Sequence, residues 1–382
     1  MRQLAAIVGV ILIGLSGYAQ GNRKVDRFVH SPSVARINDA DSLSALIAES
    51  FGRESDRLRA VYGWICSNIE YDVARMANPI SYRGDSTVKV TLAKRKAICS
   101  GYADLFINLC KRIDIKAYYV SGYTRQDGGV VDQDHAWVAV RLKNGQWKLF
   151  DPTWGASTWQ NGELVKRLSF GYFMQEPADF VKSHMPFDPM WQLLYQPITT
   201  AEFYGQKVAK DANYLFNYSD SISADQVMPE PQMYANAMRR MVWAGIGNES
   251  SARYYALLKR ELASALEAER RRLSEMWLYA FEDLEKSYQT SVEMYEQLQV
   301  LKTDYASRGV SVSQLRYQSD VLLEHSKRCA EALAGLRLSE QADFSLWNSL
   351  NQRVARMQNL IEKQNALIRQ AMDPSTGKGS AR

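Results

Sequence analysis

Cys99, His135 and Asp151 are the three residues whose types could together open an amide bond. Cys99 stands in Lys96-Ala97-Ile98-Cys99-Ser100-Gly101-Tyr102-Ala103, just ahead of Leu105, Phe106, Leu109 and Ile113. Those apolar residues recur at the three- and four-residue steps of an amphipathic helix. A thiol where a helix begins sits among unpaired backbone N–H groups and at the positive end of the helix dipole, and both favour the nucleophilic thiolate. Lys94, Arg95 and Lys96 add positive charge upstream, although basic loops of this kind are commonly just solvated. His135 opens the run His135-Ala136-Trp137-Val138-Ala139-Val140, and Asp151 closes the run Trp147-Lys148-Leu149-Phe150-Asp151. If a hairpin turn over Lys143-Asn144-Gly145-Gln146 joins the two runs, His135 and Asp151 fall at the same end of neighbouring strands. The carboxylate would then accept the Nδ1–H of His135 and leave the other ring nitrogen facing Cys99, in the order nucleophile, base and orienter. His30 lies in the lead-in, His325 on a helical arm and His184 outside any predicted strand. Each member also has a plainer reading: a buried helix cysteine, a satisfied core histidine, and a turn aspartate before Pro152.

The elements that must position these residues predict an α+β core. Residues 20–40 read as an extended lead-in. A short helix is expected from Asp41 to Gly52, and a stronger one, capped by Asp56, carries Leu58, Val61, Tyr62, Ile65 and Ile69. Residues 73–95 read as a long loop, and the Cys99 helix should run to about Arg112. Lys116-Ala117-Tyr118-Tyr119-Val120 is a first strand, followed by a Gly122–Gly129 loop and then the His135 and Asp151 strands. Residues 152–228 are aromatic-rich and irregular, with a further hairpin around Asn161-Gly162. After Met228-Pro229-Glu230-Pro231 the pattern turns helical: first Gln232 to Trp243, then two segments of about 55 residues each, or about 80 Å at 1.5 Å per residue. These predict an antiparallel helical hairpin, or a three-helix bundle if Gly335 and Ser339 to Asp343 break the second arm.

Taken together, the Cys99 stretch, His135-Ala136-Trp137 and Asp151-Pro152-Thr153-Trp154-Gly155 resemble the transglutaminase-like superfamily, most of all its bacterial and kyphoscoliosis-peptidase-type members. The resemblance spans roughly residues 56 to 157, includes Tyr71-Asp72, and extends through Ser183-His184-Met185-Pro186 and Trp191-Gln192-Leu193-Leu194. It implies a papain-like core with Cys99 as nucleophile, His135 as general base and Asp151 as orienter. Ala97 stands where many relatives have glycine, and Val138 where many have asparagine. Both departures bear on pocket shape more than on competence. The Cys99 backbone N–H should form part of an oxyanion hole, with a second donor expected in residues 73–98.

Bulk properties limit what else the chain can be. At 382 residues it has length for two or three domains, and its net charge of +5 is spread among acidic residues with no basic face or nucleic-acid motif. Arg2, the apolar run Leu4 to Leu15 and the small residues ending Gly17-Tyr18-Ala19 read as a signal peptide cleaved after Ala19, with no membrane span in the mature chain. Export to a periplasmic or extracellular space follows. Four scattered cysteines (Cys66, Cys99, Cys110, Cys329) make no disulfide scaffold. Neither a His-Glu-x-x-His nor a paired Cys-x-x-Cys pattern occurs, so no metal or other cofactor is expected. The expected organisation is 1–19 signal peptide, 20–157 core with lead-in, 158–228 extension, 229–373 helical hairpin or coiled coil, and 374–382 disordered tail. The expected activity is that of a thiol peptidase or amidase on peptide or protein substrates, ahead of a cross-linking transglutaminase. The alternative is a non-enzymatic cell-envelope binding or scaffold protein, with the C-terminal helices serving self-association or a protein partner.

Overall fold

The apolar stripe after Cys99 forms one face of the helix Cys99–Arg112, burying Leu105, Phe106, Leu109 and Cys110. This computed structural model describes residues 23–77, 88–160, 163–207, 215–336 and 344–371. The predicted signal peptide, the Asn161-Gly162 turn, the Ser339 to Asp343 break and the tail after Pro374 lie outside the described residues. The chain divides into two units, Met1–Leu262 and Ala263–Arg382.

In the first unit, strands β1 (Glu70–Tyr71) and β2 (Lys96–Ala97) pair in parallel just ahead of the Cys99 helix. Beyond the helix come β3 (Lys116–Gln126), β4 (Gly129–Arg141) and β5 (Trp147–Phe150), then the hairpin of β6 (Ser157–Gln160) and β7 (Glu163–Lys166), and β8 (His184–Pro186). The main sheet has the order β5-β4-β3-β8 and is antiparallel throughout. One face carries Ala136, Val138, Val140 and Phe150 into a core shared with the Cys99 helix and the helix Glu54–Asn68. The other face carries Val120, Trp137, Ala139 and Leu149 into a second cluster with Phe180 and Met190. This is the expected α+β arrangement, a cysteine-bearing helix on an antiparallel sheet.

Four local expectations are corrected. Residues 20–40 are not extended where described: residues 23–29 are helical, Pro32–Ala35 form another turn of helix, and Val25, Val29 and Val34 enter the core. The helix expected from Asp56 starts at Glu54, with Arg53 at its N-cap and Asp56 paired to Arg53 at 2.8 Å. The 73–95 loop contains the helices Val73–Ala77 and Val88–Lys94, while residues 78–87 lie outside the described residues. Nor is Gly122–Gly129 a loop. β3 and β4 continue to a tight turn at Asp127 and Gly128, both at positive φ (48° and 79°), as a twisted two-residue hairpin requires.

Gly122 is there for close approach. A Cβ at this position would lie 2.1 Å from the Met185 carbonyl oxygen and 2.5 Å from the Trp137 ring, where β8 pairs with β3. Gly122→Ala is therefore expected to force β8 off the sheet edge, at a cost of about 1–3 kcal/mol. Thermal denaturation followed by circular dichroism should show the midpoint lowered by several degrees.

Among the C-terminal elements, Glu230–Ala244 matches the expected helix and Glu249–Arg308 is the long first arm. The second arm is two helices, Val312–Gly335 and Phe344–Ala371, the first capped by the Ser311 hydroxyl accepting the Gln314 N–H. Within the second unit all three helical segments share apolar clusters, one of them built from Trp277, Phe281, Cys329, Leu333, Leu350 and Val354. The broken-arm, three-helix alternative is the one adopted. Among the described residues no helix is long and apolar enough to cross a membrane.

Candidate active site

Each predicted site residue is placed by a different element. Cys99 is the first residue of its helix, reached from β2 through Ile98 in an extended conformation that offers no side-chain cap. Cys99 is half-buried, whereas Cys66, Cys110 and Cys329 are free thiols buried in apolar surroundings. His135 is not at the start of its strand as expected but in the middle of β4, opposite Gly122 of β3. Asp151 follows β5 and caps the helix Pro152–Ala156: its Oδ1 accepts the backbone N–H of Thr153 at 2.8 Å and of Trp154 at 3.0 Å. The Oδ1 cap fits the turn-aspartate reading and leaves Oδ2 for other partners.

The second oxygen reaches His135. Asp151 Oδ2 lies 2.7 Å from His135 Nε2, with the carboxylate fully buried and the imidazole 11% exposed. The ring is turned over relative to the expectation: Nε2, not Nδ1, faces the carboxylate, which leaves Nδ1 as the nitrogen available to the thiol. Burial alone would lower the pKa of the His135 imidazole. The Asp151 charge and hydrogen bond, joined by a smaller influence of the nearby Cys99 side chain, outweigh burial and push it up to about 10. For Asp151 burial works upward, but the His135 charge and the hydrogen bonds from two imidazoles hold it well below the usual carboxylate range. His135 and Asp151 therefore stand as a charged pair at neutral pH, beside the thiol. Trp154 and Trp137 flank the His135 ring, with centroids at 5.7 and 6.1 Å. A cleft lined by Tyr71, Gln133, His135, Trp154, Ser157 and Leu164 opens beside it, so β1 and the β6–β7 hairpin form its walls. The predicted second oxyanion donor falls in a stretch of which residues 78–87 lie outside the described residues.

The second imidazole belongs to His184, which is on a strand after all, β8, paired with Thr124 of β3. Its Nε2 lies 3.1 Å from the same Asp151 Oδ2, and its Nδ1 lies 2.8 Å from Ser183 Oγ. Three residues ending in proline carry no strand periodicity, so the pattern of the sequence did not reveal it. The only signal was that Ser183-His184-Met185-Pro186 belonged to the family resemblance. His135, Asp151 and His184 place three ligand-capable atoms within 4.8 Å of one another, a spacing that a divalent metal could also accept. Both imidazole nitrogens that face the carboxylate are instead at hydrogen-bonding distance from it.

Comparison with known proteins follows the same residues. Residues 42–152 match the family described as the transglutaminase-like superfamily. Kyphoscoliosis peptidase of Homo sapiens is 30% identical over 198 residues, covering 49% of this chain and 29% of that protein. Hillarin of Drosophila melanogaster is 27% identical over 193 residues, covering 45% of this chain and 23% of its own length. The chain thus spans less than a third of the length of these curated relatives. A solved structure described as a TGase matches 37% of this chain and 38% of its own, at 20% identity and a TM-score of 0.25. Over residues 42–152, then, this chain is similar to the transglutaminase-like superfamily, and over a wider stretch to kyphoscoliosis peptidase.

Proposed function

We propose that the chain is an exported thiol enzyme that cleaves peptide or protein amides through an acyl-enzyme intermediate, with Cys99 as nucleophile, His135 as acid and base, and Asp151 as orienter. The observation that carries this reading is the 2.7 Å bond between His135 Nε2 and the buried Asp151 carboxylate, which leaves the ring's Nδ1 free of that carboxylate. With the thiol proton taken up by His135 at Nδ1, the Cys99 thiolate attacks the amide carbon, forming a C–S bond as the C=O π pair moves onto oxygen, and the resulting oxyanion is met by the Cys99 backbone N–H at the helix start. His135 gives its Nδ1 proton to the departing nitrogen, the C–N bond breaks, and a thioester remains with a free amine. Water then attacks the thioester and yields its proton to Nδ1. The C–S bond breaks, the acid leaves and the thiolate is restored.

A lysine amine in place of water would give a cross-link by the same steps. Hydrolysis is favoured because transfer requires exclusion of water, and the cleft beside His135 has polar walls in Gln133 and Ser157. The test is a casein substrate offered together with dansylcadaverine. Peptide release without amine incorporation is expected, incorporation would reassign the enzyme to acyl transfer, and neither would remove the enzymatic reading. Export rests on Arg2, the Leu4 to Leu15 run and Ala19, and predicts a secreted form whose first residue by mass spectrometry is Gln20. Under this reading the helices after Glu249 serve self-association or a protein partner.

A further inference from the structure

We propose that His184 is a positioning residue of this site: its Nε2–H donates to Asp151 Oδ2 and holds the carboxylate where it orients the His135 ring. The inference rests on the roles given above to Cys99, His135 and Asp151.

The geometry is that of a completed acceptor. A carboxylate offers about four lone-pair directions. Those of Asp151 receive Thr153 N–H, Trp154 N–H, His135 Nε2–H and His184 Nε2–H, at 2.8, 3.0, 2.7 and 3.1 Å. The tautomer of His184 follows from the carboxylate, because ionised Asp151 can only accept and Nε2 must therefore carry the proton. Nδ1 is then an acceptor for the Ser183 hydroxyl, 2.8 Å away, which also lies 3.4 Å from the Phe180 carbonyl.

The two histidines reach Asp151 from strands on opposite sides of β3, because β3 pairs with β4 through Gly122 and His135, and with β8 through Thr124 and His184. Around His184 stand Phe180, stacked at 3.9 Å, and Trp154, Trp137 and Tyr172 at 4.5, 5.2 and 5.7 Å. A box of aromatic rings would be filled as well by an apolar side chain, and Asp151 would keep three of its four hydrogen-bond donors. Stability alone therefore does not call for a histidine here.

The ionisable groups facing His184 are Asp151, His135 and Tyr172. Burial lowers the His184 imidazole to about 4 against the pull of Asp151, so it is neutral at pH 7. A neutral donor steadies the carboxylate without competing as a second cation for its charge. His135 is then the only imidazolium Asp151 serves.

The experiment measures kcat/KM against pH for the full chain as wild type, His184→Phe, His184→Gln and Ser183→Ala, with melting curves for each. Phe removes the donor and frees the carboxylate to rotate, and misplacement on that scale costs about 10²-fold in turnover. It also leaves the Asp151 charge less shared, so the alkaline limb, which reports loss of the His135 proton, should move to higher pH. Gln can donate to Asp151 and accept from Ser183, so it should recover most of the rate and return the limb towards wild type. Ser183→Ala should shift the limb in the same direction as Phe, by less. If His184→Phe loses activity only in proportion to its unfolded fraction, with the limb unmoved, the proposal is overturned. If that variant does not fold, an unmoved limb in both Ser183→Ala and His184→Gln, together with a full loss in His184→Gln, overturns it equally. Failure of the underlying reading is separate: it would appear as wild-type turnover in a Cys99→Ala protein, whatever His184 does.

Discussion

Cys99→Ala is expected to reduce amide turnover to background, a loss on the order of 10⁶-fold in kcat by analogy with removal of other enzymic nucleophiles. No other thiol can substitute. Cys66 donates to the Pro152 carbonyl at 3.2 Å from full burial, and Cys110 and Cys329 are 0% and 3% exposed. The fold should survive, because alanine is the residue best suited to a helix and the Cys99 side chain is only half-buried. The melting curve of the variant should overlay that of the wild type. Iodoacetamide on the native protein should mark the same residue: peptide mapping should find Cys99 carbamidomethylated before the three buried thiols. Turnover retained by Cys99→Ala would end the nucleophile assignment.

How much of this was legible in the sequence depended on whether the signal was local. The Cys99 helix was read to its observed ends because a one-sided apolar stripe is written into consecutive residues. The β4–β5 hairpin was read from Asn144-Gly145, where Gly145 does adopt positive φ (84°). Gly122 misled because glycine marks turns and close approaches alike. Only the β3–β8 pairing, made across some sixty residues of chain, tells which one it is. Residues 23–29 read as extended because their polar content hides the four-residue step from Val25 to Val29 that the core uses. Which nitrogen of His135 faces Asp151 is a matter of rotamer, and no residue pattern encodes it. His184 stayed hidden for a related reason. Its partner is 33 residues away and its strand is too short to show a period.

Asp151→Asn is the substitution that separates orientation from nucleophilicity, and its expected loss is about 10⁴-fold in kcat, as for the equivalent change in a serine triad. Asparagine can keep the cap, with its Oδ1 still accepting from Thr153 and Trp154. Its amide nitrogen then faces His135 Nε2 and makes that atom the acceptor. The ring proton is driven onto Nδ1, towards the thiol it should deprotonate, and the base is blocked without being moved. The same change removes the charge that raises His135, and this gives a test in stability as well as rate. In the wild type the raised His135 contributes stability that is fully present below its unfolded pKa of about 6.5. That contribution is lost as pH rises through the folded value of about 10. Asp151, depressed in the fold, contributes stability present above about 4, which is lost only as pH falls through its lower folded value. His184 works the other way from His135. Its folded pKa of about 4 means that acidification below about 6.5 protonates the unfolded chain first, so stability falls between those two values. Wild-type melting temperature should therefore decline from pH 7 towards pH 10. In Asp151→Asn, with burial now the dominant influence on His135, that alkaline decline should largely disappear. A variant that kept both the decline and the activity would show that Asp151 neither charges nor orients the ring.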